Sequence, residues 1–179
     1  MKTILSLMLT AFILTPSTVS TPSQTEDYFK RLDSLEKAFL DRFRDFLDLS
    51  AALASGDPEE YTLSTLESTA DEHTVKCNFL KEELSILALV VDSANKDKVQ
   101  RIVAARVAFH LKSATRSVGT LNRLLLKIRK PAVAAQATKL KRDLRDLQET
   151  LEEIAKTLPE VDVHEPKTQK KTSASLEAD

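Results

Sequence analysis

The chain has 179 residues, 42% of them hydrophobic and 30% charged, which suits one globular domain with flanking segments. Two glycines, no tryptophan and few aromatics argue against a sheet-rich fold, which needs turn glycines and aromatic or β-branched strands. Lys and Arg number 26 against 27 Asp and Glu, so the placement of charge along the chain says more than its net value of -1.

Residues Met1 to Ser20, MKTILSLMLTAFILTPSTVS, join a basic start at Lys2 to an apolar run from Ile4 to Leu14, then Pro16 and small residues. This is the pattern of a signal peptide cleaved near Ser20 or Thr21, and the run is short for a spanning helix. An uncleaved amino-terminal anchor is the alternative, because the cleavage region lacks alanine at its usual positions. The expectation is a secreted or periplasmic protein with no spanning helix in its mature form. One cysteine, Cys77, makes no internal disulfide, so the core has to hold the fold.

Ser23 and Glu26 have capping-box spacing, with Thr25 a competing cap, and a first helix is predicted near 25–55. Leu32, Leu35, Phe39, Phe46, Leu49 and Leu53 repeat at three and four, Phe43 widens the seam, and Arg42 fills one slot. Gly56 supplies a stop. Asp57 as cap, Pro58 at the first helical position and Glu60 three residues after the cap then start a second helix, near 58–94. Its seam is Leu63, Leu66, Ala70, His73, Cys77, Leu80, Leu84, Leu87 and Val91. Its other faces carry Glu59, Glu67, Asp71, Glu72, Glu82 and Glu83.

Ser93 to Asp97 is a short reversal into a third helix, near 96–130, antiparallel to the second. From Lys98 to Arg142 the chain holds twelve Lys or Arg and no acid. On one continuous helix Val103, Val107, Leu111, Ala114, Val118, Leu121, Leu125 and Ile128 form a stripe. Lys98, Arg101, Lys112, Arg116, Arg123, Lys127 and Lys130 lie almost opposite it, with Phe109 and Ile102 beside them. Pro131 breaks the ladder. A fourth helix, near 132–158, repeats Val133, Ala137, Leu140, Leu144, Leu147, Leu151, Ile154 and Leu158. Residues 159–179 lack periodicity and read as a disordered polar tail. The fold expected is an all-α antiparallel up-down bundle of about four helices over 23–158, or three helices with the last long and kinked at Pro131.

Little points to catalysis or a cofactor. His73 and Cys77 share a helix face and His110 falls within a turn or two of Cys77, but three mixed ligands are few for a metal site and a buried thiol with core histidines accounts for them. Haem ligation lacks a methionine outside Met1 and Met8 and lacks a C-x-x-C-H attachment, which leaves bis-His ligation, like a metal site, as a remote alternative. Adjacent acids such as Glu82 and Glu83 point about 100° apart and do not face each other across a substrate. No serine elbow or glycine-rich phosphate loop is present, so the chain reads as non-catalytic.

The candidate site is the basic face: Arg101, Phe109, Lys112, Arg116, Arg123, Lys127 and Lys130. Basic amphipathic helices are a surface-binding pattern, and its partners would be anionic lipid headgroups, lipopolysaccharide or an acidic polysaccharide, with nucleic acid disfavoured by export. Two other readings compete. In one the cations are a solvated face; in the other they meet the acidic second helix in a scaffold or homo-oligomer.

Overall fold

The computed structural model describes residues 22–90 and 94–160. The signal segment and residues 161–179 of the tail lie outside the described residues. Four helices follow one another: α1 (Pro22–Ala51), α2 (Glu60–Leu89), α3 (Lys96–Leu125) and α4 (Pro131–Lys156). Each packs beside the next and α4 returns to α1, giving an up-down four-helix bundle. The α2–α3 seam is the thinnest of the four adjacent seams.

The core is the set of side chains that the three-and-four spacing selects. Leu32, Phe39, Phe46, Leu63, Leu66, Leu80, Leu121, Leu140, Leu144, Leu147, Leu151 and Ile154 are fully buried. Leu49, Leu53, Leu87, Leu111, Val118, Leu125, Ile128 and Leu158 pack against them at its edges. Arg42 occupies its seam slot because α4 offers a partner. Its Nε donates to the buried Asp143 carboxylate at 3.2 Å, and its Nη1 donates to Asp45 at 2.6 Å and to Gln136 at 3.2 Å. A buried acid needs such pairing, since desolvating an unpaired charge costs several kcal/mol.

The helix ends differ from the predicted ones, for local reasons. Asp57 does accept the Glu59 N–H, at 2.9 Å, but the Glu60 N–H bonds the Asp57 carbonyl three residues back, so Pro58 and Glu59 form a tight turn and α2 begins at Glu60. Gly56 takes the left-handed conformation, φ 79, in the loop beyond α1. The predicted run of α3 to Lys130 is corrected: the helix stops at Leu125. Proline disfavours helical geometry in the residue before it, and Lys130 is extended, φ -82 and ψ 119.

The N–H groups released by that break are captured across the bundle. Glu59, itself buried, accepts from Arg129 N at 2.5 Å and from Lys130 N at 3.3 Å. Beside it Lys130 Nζ pairs with Asp57 at 2.5 Å. The α1–α2 loop thus clamps the α3–α4 connection.

Candidate functional site at the α2–α3 face

The α3 helix holds Arg101, Phe109, Lys112, Arg116 and Arg123 of the predicted site together on its exposed side. Phe109 is 62% exposed, its ring edge-on to His110 with centroids 5.7 Å apart. Arg123 donates to Thr120 on the same helix at 3.3 Å. Lys127 and Lys130 are not on that helix. Lys127 is exposed in the turn after it, and Lys130 is turned to Asp57. Among the described residues Arg101, Arg116 and Lys127 make no ion pair. Arg106 meets acidic α2: its Nη1 lies 2.5 Å from Glu83.

Exposed apolar side chains also line the neighbouring flank of α2: Val75, Phe79 and Ile86. The core heptad of α2 does not select them, and in the sequence they stand among its acids. Their spacing was the available signal, since a second apolar row at four and seven lies outside the core heptad of α2.

Beneath the surface the α2–α3 seam is polar. Lys76 Nζ donates to Glu72 and to Ser113 Oγ, and Ser113 Oγ lies 3.4 Å from Glu72. An open cleft of about 310 Å³ is bordered by Thr69, Glu72, Ser113, Arg116, Ser117 and Thr120. Burial raises the Glu72 carboxyl, but the Lys76 ammonium more than offsets that and leaves it below its usual value.

His73 is fully buried, stacked obliquely 5.6 Å from Phe39, and its Nδ1–H donates to the Thr69 carbonyl at 2.9 Å. Its Nε2, His110 Nδ1 and Glu83 Oε2 have no hydrogen-bond partner among the described residues. Burial pushes the His73 pKa down, and burial, with Lys76, His73 and Arg106 nearby, pushes that of His110 to about 4. Both rings are therefore neutral near neutral pH.

These groups do not assemble into a reacting constellation. Ser113 lies within a helix whose own hydrogen bonds occupy the backbone N–H groups that an oxyanion would need, and Lys76 is engaged as a donor by two oxygens. Cys77 is buried, its thiol pushed up to about 12 by burial and by the Glu36 charge, so it is neither a nucleophile nor open to an intermolecular disulfide in the folded chain. Among the described residues no three His, Cys, Asp or Glu side chains converge on a metal-sized site, and no helix is long and apolar enough to cross a membrane. The chain matches no protein-family model, no curated protein and no solved structure.

Proposed function

We propose that this is an exported, non-catalytic bundle protein that binds an anionic partner, a lipid surface or an acidic polymer, through the outer face of α3. One observation carries the reading. All the cations of α1 and α2 except Lys37 are ion-paired, whereas on the outer side of α3 Arg101 and Arg116, each about two turns from exposed Phe109, stand exposed without an ionic partner among the described residues. Unneutralised cations around one apolar side chain suit an anionic surface, where each contributes about 1 kcal/mol. The export half of the reading rests on Lys2, the Ile4 to Leu14 run and the small residues after Pro16.

Flotation with phosphatidylglycerol vesicles at low ionic strength, alongside an acidic polysaccharide, tests the binding. Wild-type protein binds and releases with salt, and Arg101→Glu with Arg116→Glu abolishes binding while the helical circular dichroism stays unchanged. A wild type that ignores both vesicles and polyanions under those conditions ends the proposal. Mass spectrometry of the amino terminus checks export: Met1 retained on cytoplasmic protein, with no membrane association, removes that half.

A further inference from the structure

The outer face of α2 and α3 has a lateral order of side chains. The Arg106–Glu83 and Lys76–Ser113 contacts fix the register of the two antiparallel helices. In that register Phe79 comes level with Phe109, and Ile86 with Ile102. On helical geometry each sits one turn from a seam-facing residue: Phe79 after Lys76, Ile86 after Glu83, Phe109 after Arg106, and Ile102 before Arg106. All four are exposed, so two apolar rows flank the seam on its solvent side. Outside the α2 row stand the exposed acids Asp71 and Glu82; outside the α3 row stands Arg101, and Arg116 stands at the end of that row, bordering the α2–α3 cleft. Across the face the order is acid, apolar, apolar, base.

That order is complementary to itself. A second copy turned by a two-fold axis parallel to the helices presents base, apolar, apolar, acid. The apolar rows then cover each other, Phe79 meeting the second copy's Phe109. The second copy's Arg116 comes level with Asp71, and its Arg101 lies within side-chain reach of the Glu82 edge. A two-fold axis across the helices would instead set acid on acid. We propose that this face pairs with a second copy of the chain in the first arrangement, giving a dimer with α2 of each copy against α3 of the other. The inference shares with the proposed function the reading of α3's outer face as an interaction surface, and the dimer, which covers Arg101, Arg116 and Phe109, competes with an anionic partner for that face.

The likeness in size to a known class of interface sets the expected strength. A face two helices wide, each about 10 Å across, and about 25 Å long covers about 500 Å² per copy. That puts the total near the lower bound for specific association, so the dimer should be reversible and concentration-dependent.

Sedimentation equilibrium on the purified protein reads it directly. The expected result is a monomer–dimer equilibrium that Phe79→Asp or Phe109→Asp weakens about tenfold or more, as removal of a central aromatic anchor does. Both positions are exposed, so unchanged circular dichroism and urea midpoints confirm that folding is intact. Asp71→Arg should weaken the dimer, as should Arg116→Asp, and the two together should restore it. A wild-type monomer across the accessible concentration range overturns the inference, as does a dimer indifferent to Phe79 and Phe109 or a pair of swaps without rescue. A monomer that still floats with anionic vesicles removes the second copy and leaves the proposed function standing; protein that does neither removes both.

Discussion

Two seams of this bundle bury charge, and they treat it differently. Between α1 and α4, Asp143 is 5% exposed and is met by the Arg42 guanidinium, which is itself shielded and also engages Asp45 and Gln136. Between α2 and α3, Glu83 is buried to a similar degree but meets the largely exposed Arg106 through one oxygen. Its other oxygen, together with ring nitrogens of His73 and His110, lacks a partner among the described residues. Unsatisfied buried polar groups each cost about 1–3 kcal/mol, so the first seam is built to stay shut and the second is the bundle's weak side. The weak side is also the one with exposed apolar rows. An incompletely satisfied interior and an unfinished surface lie on the same pair of helices.

The comparison is broken most severely at Arg42. Arg42→Ala leaves buried Asp143 with only the longer 3.7 Å pairing to the exposed Arg142, and a loss of about 3 kcal/mol in urea unfolding is expected, at the lower end for a broken buried pair. A loss below about 1 kcal/mol would mean that water reaches Asp143 and that the two seams are alike. Glu59→Ala comes next, at about 1–2 kcal/mol, because two backbone N–H groups of the α3–α4 connection lose a charged acceptor. Exchange of the Arg129 and Lys130 amides, measured by NMR, should quicken in that variant before the rest of the bundle loosens. Arg106→Ala should cost about 1 kcal/mol, less than at Arg42 because the exposed Arg106 side of the pair is screened, although it leaves Glu83 buried without its cation.

The bundle was legible in the sequence because its information is local and periodic: the seam from Leu63 through Leu84 reads directly as a buried face. Arg42 was visible as a misfit in such a seam. Its partner Asp143 was not, because the two meet only once α1 and α4 pack. The same holds for Glu59, which is remote in sequence from the N–H groups it caps. Extending α3 to Lys130 gave the helix periodicity more weight than the constraint Pro131 places on the residue before it, and this carried Lys127 and Lys130 onto a face they do not share. The exposed cations and Phe109 of α3 were readable because exposure opposite an apolar stripe follows from the wheel. Phe79 and Ile86 gain their meaning from α3 lying beside them, which is a tertiary fact.

The remaining effect lies at His110, and it sharpens the contrast through pH. The charges acting on the two rings come from Lys76, Arg106 and Glu72, and His73 disfavours protonation of His110. Glu72 is paired with Lys76 and Glu83 with Arg106, so a proton added in the seam finds cations and no free acid. The folded chain therefore takes up the His110 proton only near pH 4, whereas an unfolded histidine does so near 6.5. Above 6.5 both states hold a neutral ring and this group gives no pH dependence. As pH falls through 6.5 the unfolded state binds the proton first, so folding stability declines, by up to about 1 kcal/mol per pH unit after solvent screening of a ring at the bundle edge. His110→Gln should remove that slope between pH 6.5 and about 5, above the range where most carboxylates titrate, and His73→Gln should remove part of what remains. Urea midpoints measured across that interval decide it. If wild type and His110→Gln decline in parallel, protonation of the α2–α3 seam is not what weakens it.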